Sequence, residues 1–136
     1  MNGKAMAAIL GIAILSGCTS SKPSPDRHAF YFVSHQSGFT GGNYASDVQK
    51  NYRLNVAQFR ELYARGRADR TEGRTQEEAH QYAQSIRDQL KENAKSQESF
   101  AGNAKDKWTS AMDEKDAALF GNELAATYLD GYNGVQ

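Results

Sequence analysis

The side chains with the most chemical potential in this sequence are a single cysteine, Cys18, and three histidines. His28, His35 and His80 lie in separate segments, and none belongs to a Cys/His cluster or an HxxxH pattern. Metal ligands must converge on one point, so this spacing predicts surface histidines and no metal site. A lone cysteine forms no internal disulfide. In an exported protein it indicates an intermolecular bridge, a reactive thiol or a covalent modification.

The sequence contains no pattern typical of nucleophilic or acid–base catalysis. The chain has no G-x-S-x-G motif, and no glycine-rich turn opens a helix after a strand to hold a phosphate. Asp113, Glu114 and Asp116 form a group of carboxylates just before a predicted helix, where negative charge favours the helix N-terminus. We therefore predict a protein that is not an enzyme and that has no cofactor.

A hydrophobic segment with the proportions of a signal peptide precedes the cysteine. Lys4 is the one charged residue in positions 1–17, and Ala5–Leu15 are 11 consecutive apolar or small residues. A helix that crosses the hydrocarbon core needs about 20 such residues, so this segment is too short to remain in the membrane. Its length and flanks are typical of a cleaved export signal.

The four residues Leu15-Ser16-Gly17-Cys18 resemble the lipobox of bacterial lipoproteins. The resemblance implies a lipid thioether on Cys18, cleavage between Gly17 and Cys18, and processing by the lipoprotein maturation and sorting machinery. The alternatives are an ordinary signal peptide that leaves a free thiol, or a buried N-terminal helix with a core cysteine. Thr19, rather than aspartate, follows the cysteine, which implies the periplasmic face of the outer membrane.

The segment after the cysteine has the composition of a spacer. Thr19–Arg27 contains both prolines of the chain and no large apolar residue, which predicts a flexible tether reaching roughly 30 Å. With Lys4 removed, the 16 Lys and Arg residues become 15 against 16 Asp and Glu. A nearly neutral chain does not resemble a nucleic-acid binder. We predict a signal peptide in residues 1–17, the lipidated cysteine and tether in 18–28, and a small helical periplasmic domain in 29–136.

Hydrophobic periodicity predicts a mainly α fold, a small three- to four-helix bundle with a short extended N-terminal arm. The arm is Ala29–Ser34, which is rich in aromatic and β-branched residues. Apolar residues at helical spacing predict a first helix from Asn55, or from as early as Ser46, to Glu72-Gly73. The apolar stripe comprises Val48, Tyr52, Val56, Phe59, Leu62, Tyr63 and Gly66.

Two further helical regions follow along the chain. Thr75 and Glu78 form a capping box that opens a second helix, with a break predicted at Ser99–Asn103. A third region covers Lys105–Met112 and then Glu114–Tyr132. The inward residues of the second helix are Ala79, Tyr82, Ala83, Ile86 and Leu90. In the third region Phe120, Leu124, Tyr128 and Tyr132 repeat every four residues.

Two features of the predicted helices allow more than one interpretation. Tyr63-x-x-Gly66 and Tyr128-x-x-Gly131 share a pattern that fits either a close helix contact or two related binding corners. Tyr63, Arg67 and Tyr132 form the candidate binding surface. The arginine run is either a solvated helix face or a contact for lipid headgroups or an acidic partner. That run comprises Arg60, Arg65, Arg67, Arg70 and Arg74.

Together with the lipobox, three segments of the domain resemble the small lipoproteins grouped with plasmid entry-exclusion proteins. These are FYFVSH, the LYARGRADRTEG–RTQEEA stretch and the closing YLDGYNG. The resemblance implies a membrane-anchored protein that binds an unknown envelope protein and reduces uptake of a related plasmid. Two alternatives stay open: a structural or assembly lipoprotein that scaffolds an envelope complex, and a carrier of small apolar ligands.

Overall fold

The computed structural model describes residues 22–36, 48–101 and 112–136, with the backbone alone for 95–101. Within these ranges the chain forms four helices and no strand. They are α1 (Ser24–His35), α2 (Val48–Thr71), α3 (Gln76–Ala101) and α4 (Glu114–Asn133). The predicted mainly α fold, a small bundle of three to four helices, is confirmed. Cys18 and Gly17 lie outside the described residues, as does the predicted helix of residues 105–112 except Met112, which is not helical.

The prediction of an extended N-terminal arm is wrong, because Ala29–Ser34 lies inside α1. Ala29, Phe32 and Val33 are buried at helical spacing, whereas Tyr31 is 47% exposed. A strand would have placed Tyr31 on the same face as the two buried neighbours at 29 and 33. Packing of this one face against the other helices overrides the β preference of the aromatic residues.

The prediction of a flexible tether is also wrong from Ser24 onward. The predicted domain boundary between residues 28 and 29 is wrong for the same reason. Ser24, Pro25 and Asp26 are buried in the first turn of α1. Proline is favoured in the first helical turn, where its missing N–H has no intrahelical partner to lose, and Asp26 lies at the positive end of the helix dipole. Residues 24–28 therefore belong to the folded unit.

The caps of the other helices agree with the sequence signals. The Glu78 carboxylate accepts a hydrogen bond from the Thr75 main-chain N–H at 2.7 Å, and the Glu78 N–H donates to the Thr75 hydroxyl at 3.2 Å. Gly73 has a φ of 84°, as a residue just past the end of α2 should. Asp113 caps α4 by accepting from the Asp116 N–H at 2.7 Å. The predicted break at residues 99–103 does not occur as far as Ala101, because α3 continues to that residue.

Helix α4 is the central element and packs against each of the other three helices. On one side Phe120 meets Phe32 of α1 and Phe59 of α2, with ring centroids 4.5 and 5.8 Å apart. On the other side Ala125 and Tyr128 pack with small residues of α3. The α3 residues in that contact are Ala79 and Ala83. The core therefore consists of two clusters that share α4.

The repeated Tyr-x-x-Gly pattern marks a reciprocal crossing of α2 and α4. A Cβ on Gly66 would lie 2.1 Å from the Tyr128 carbonyl oxygen, and a Cβ on Gly131 would lie 2.1 Å from the Tyr63 carbonyl oxygen. Each glycine thus admits the backbone of the other motif. Of the two interpretations, the close helix contact is the one the structure contains.

Candidate functional site

The most deeply buried charge among the described residues is the carboxylate of Asp69 on α2, which is 1% exposed. It accepts hydrogen bonds from the Tyr128 hydroxyl at 2.7 Å and from Arg65 Nε at 2.9 Å. Arg74 Nε lies 3.3 Å from the same carboxylate, so two guanidinium groups face one buried negative charge. Burial and the nearby Asp69 carboxylate raise the pKa of Tyr128. This cluster joins α2, α4 and the turn after α2.

The candidate surface of Tyr63, Arg67 and Tyr132 is not one surface. Tyr132 is 2% exposed, and its hydroxyl donates to the Arg74 carbonyl at 2.7 Å. Tyr63 is half-buried and donates to the Val135 carbonyl at 2.8 Å, while Arg67 is exposed. The two tyrosines therefore bind the chain itself, because both sit at the α2–α4 crossing where backbone oxygens are within reach. Only Arg67 remains available to a partner.

A second polar cluster lies where α1 meets α2. Arg60 donates to both carboxylate oxygens of Asp26, at 2.6 and 3.2 Å, and the Tyr52 hydroxyl donates to the same group at 2.7 Å. The hydrogen bond from Arg60 lowers the pKa of Asp26, and burial together with Asp26 raises the pKa of Tyr52. Lys22 Nζ lies 4.2 Å from the ring centre of Phe30 and 5.3 Å from that of Tyr52.

A third cluster, built on His28, joins α1 to α4. His28 Nδ1 lies 2.6 Å from a Glu123 carboxylate oxygen, and Nε2 lies 3.2 Å from an Asp130 oxygen. The Ser24 hydroxyl donates to that same Asp130 oxygen at 2.5 Å. The hydrogen bond to Glu123 raises the pKa of His28, and Asp130 adds to the effect despite partial burial. The protonated ring can donate one N–H to each carboxylate.

This arrangement differs from a nucleophilic triad in one decisive contact. In a triad the serine hydroxyl gives its proton to the histidine, which a carboxylate orients from the other side. Here the Ser24 hydroxyl instead donates to Asp130, and Ser24 is fully buried. The cluster therefore holds α1 against α4 through hydrogen bonds and does not activate Ser24 as a nucleophile.

The histidine predictions have mixed outcomes. His35 and His80 are exposed, as predicted, and the His35 ring stacks on Tyr31 at 3.9 Å. The surface prediction is wrong for His28, whose side chain is 22% exposed and bonded on both ring nitrogens. Residues 28 and 35 lie two helical turns apart on one side of α1, not on opposite faces of a strand.

The sequence contained a signal for the His28 cluster, but the prediction of a strand at Ala29–Ser34 hid it. Ser24 and His28 are four residues apart, and Glu123 and Asp130 are seven apart. Both spacings place their members on one face of a helix. A helix over residues 24–35 would have placed Ser24 and His28 on one face, and the predicted helix Glu114–Tyr132 already placed Glu123 and Asp130 on one face. Their mutual approach still required the packing of α1 on α4.

The surface beside α1 contains two neighbouring open depressions. One, of about 340 Å³, is lined by Arg27, His28, Tyr31 and Glu123. The other, of about 440 Å³, is lined by the residues Lys22, Arg27, Phe30, Tyr31, Ser34 and His35. Arg27 is committed to the fold, because its guanidinium donates to the main-chain oxygens of Lys22 and Gln136 at 2.9 and 2.8 Å.

The described residues contain neither a cluster of metal ligands nor a membrane-spanning helix. In residues 22–36, 48–101 and 112–136, no group of three or more His, Cys, Asp or Glu side chains is arranged to hold a metal ion. None of the four described helices is long and apolar enough to cross a membrane.

No family model matches the sequence, and neither a curated protein nor a solved structure matches it.

Proposed function

We propose that this chain is a lipid-anchored protein of the bacterial cell envelope that acts by binding a partner at the membrane, in plasmid entry exclusion. The observation that carries the proposal is Leu15-Ser16-Gly17-Cys18 directly after 11 apolar or small residues. The order and length of these features match a lipoprotein signal peptide. They are a positive start, a short apolar run, two small residues and a cysteine.

The energetics of such an anchor favour permanent attachment. Each buried CH₂ group contributes about 0.8 kcal/mol, and a single myristoyl chain gives only marginal binding. A cysteine that carries a diacylglycerol thioether and an acylated amine has enough chain length to stay in the bilayer. Thr19 after the cysteine supports the periplasmic face of the outer membrane as the address.

The described polar groups support action by binding. The buried carboxylates of Asp26 and Asp69 are satisfied by groups of neighbouring helices and turns. Among the described residues no buried side-chain polar atom lacks a hydrogen-bond partner. These groups hold the helices together, and partner binding is left to exposed side chains.

The lipid anchor is tested by metabolic labelling with a fatty acid. The wild-type chain should incorporate the label and migrate as a processed form, whereas Cys18→Ala should do neither. Ser20→Ala is the matched control, two residues on, and should label like the wild type. Labelling of Cys18→Ala would contradict the anchor.

The role in exclusion is tested by plasmid acquisition in recipient cells. Recipients that express the wild-type chain should acquire a related plasmid less often than recipients with an empty vector, and Cys18→Ala should restore acquisition. An unrelated plasmid serves as the control for general changes in uptake. Equal acquisition in all three strains would disprove exclusion and leave the anchor to its own test.

A further inference from the structure

Three arginines of α2 form an exposed cationic stripe. Arg53, Arg60 and Arg67 recur every seven residues, a spacing that returns to the same side of an α-helix. The exposed residues between them on this side are Ala57 and Ala64, so no carboxylate interrupts the stripe. Glu61 is exposed one position round the helix, four residues before Arg65.

The stripe continues onto α1 through the Asp26 cluster. Arg60 binds Asp26, which is 8% exposed, so the negative charge lies beneath the arginine rather than beside it in solvent. Lys22 is exposed next to this contact, over the rings of Phe30 and Tyr52. We call Lys22, Arg53, Arg60 and Arg67 the cationic face.

The charge of the whole bundle is polarised in the same sense. Residues 22–36 and α2 together contain eight Lys and Arg but three Asp and Glu. Helix α3 contains three against five, and α4 contains one against four. The chain as a whole has a formal net charge of zero, so the cationic face results from how the charges are distributed between helices.

The distance from Cys18 to the fold is short. Three residues separate Cys18 from Lys22, and α1 begins at Ser24. A fully extended chain gains at most about 3.6 Å per residue, so the Cα of Lys22 lies within roughly 14 Å of the Cα of Cys18. A cysteine anchored in the bilayer therefore holds Lys22, at one edge of the cationic face, near the headgroups.

We infer that the cationic face lies against the anionic phospholipid headgroups of the membrane in which Cys18 is anchored. The inference rests on the proposed lipid anchor and adds an orientation to it: α1 and α2 face the bilayer, and α3 projects away. Two observations support it, the sign of the charge on this face and the short chain between the face and the anchor. Each Lys or Arg near an anionic surface strengthens attraction by roughly fivefold.

The test places one fluorophore on each side of the acylated protein in vesicles. Because the lipid occupies the sulfur of Cys18, Ala57→Cys on the cationic face and Gln89→Cys on α3 each supply one labelling site. Both positions are exposed. The measurement is energy transfer to a headgroup-linked acceptor, in vesicles of phosphatidylglycerol with phosphatidylcholine and in vesicles of phosphatidylcholine alone.

Transfer should be stronger from position 57 than from position 89 in the anionic vesicles. The difference should vanish in neutral vesicles and in 1 M salt, where the Debye length falls to about 3 Å. Arg53→Gln with Arg67→Gln should lower the ratio of docked to undocked protein on the order of 25-fold. Lys91→Gln with Lys115→Gln removes the same charge from α3 and α4 and should leave the ratio unchanged.

The outcomes separate the orientation from the anchor. Vesicle-bound protein with equal transfer from both positions, or with a difference that persists in neutral vesicles, overturns the orientation while the anchor stands. In that case the cationic face is open to an acidic protein partner. Protein that does not float with the vesicles overturns the anchor, and the orientation with it.

Discussion

At the scale of single residues, Asp69 keeps a carboxylate in the interior by surrounding it with donors from three places in the fold. Tyr128 is buried with it, whereas the side chains of Arg65 and Arg74 are 50% and 41% exposed. Removal of the charge leaves the two guanidinium groups to be hydrated by water. The penalty is therefore smaller than for a fully buried ion pair.

We predict that Asp69→Asn lowers the free energy of unfolding by about 2 kcal/mol, the loss of charge-assisted hydrogen bonds. Asparagine retains an acceptor for the Tyr128 hydroxyl, so the fold should persist. Urea denaturation followed by circular dichroism measures the change. Asp88→Asn, on the exposed side of α3, should change stability by less than about 0.5 kcal/mol. Equal effects of the two substitutions would contradict the role of Asp69.

His28 makes stability depend on pH in a defined direction. Its folded-state pKa is raised above the ordinary 6.5 by Glu123 and Asp130. The stabilisation is therefore fully present below pH 6.5 and is lost as the pH rises through the folded-state pKa. Thermal unfolding across this range should show a falling Tm. His28→Gln should flatten that fall, whereas His80→Gln, exposed on α3, should not. A slope that survives His28→Gln would place its origin elsewhere.

At the scale of the elements, the crossing of α2 and α4 depends on two glycines that have no room for a side chain. Backbone atoms of the opposite helix lie where the Cβ would be, so no rotamer change relieves the contact. Gly121 is a graded comparison, because its Cβ would lie 3.2 Å from the Arg87 Cα, a tight but less severe approach.

Gly66→Ala should force the two helices apart and destabilise the bundle by about 3 kcal/mol or more, beyond ordinary overpacking of a core. Gly131→Ala should behave alike, because the contact is reciprocal. Gly121→Ala should have a clearly smaller effect. Urea midpoints of the three variants give the ranking, and a Gly121→Ala variant as unstable as Gly66→Ala would refute this account of the crossing.

At the scale of the whole molecule, α1 completes the core instead of extending from it. Phe32 is 1% exposed and meets Phe59 and Phe120 from two other helices. The folded unit therefore begins at Ser24, six residues after Cys18, which the proposed lipid anchor would hold at the membrane surface.

Phe32→Ala should lower the free energy of unfolding by about 3–5 kcal/mol, as truncation of a buried aromatic residue does. Tyr31→Ala is the matched control. Tyr31 is the sequence neighbour of Phe32, but it is 47% exposed and its ring stacks on His35 at the surface. Its effect should be small. Chemical denaturation of both variants decides between a docked helix and an arm, because an arm would lose little from either change.

The sequence by itself determined the features that depend on local pattern. The helical stripes of α2 and α4, the Thr75–Glu78 box and the turn at Gly73 all follow from residue spacing and backbone preference, and the structure contains each of them. The resemblance of Leu15-Ser16-Gly17-Cys18 to a lipobox is also local, and it remains the basis of the proposed function.

Only the tertiary structure decided which side chains meet across helices. Ala29–Ser34 has strand-like residues, and its helical form follows from burial of one face against α2 and α4. Tyr132 was predicted at a surface, but the helix crossing at Gly66 draws it into the interior. The physical reason is that burial and long-range hydrogen bonds depend on the arrangement of whole helices, which a short window of sequence does not contain.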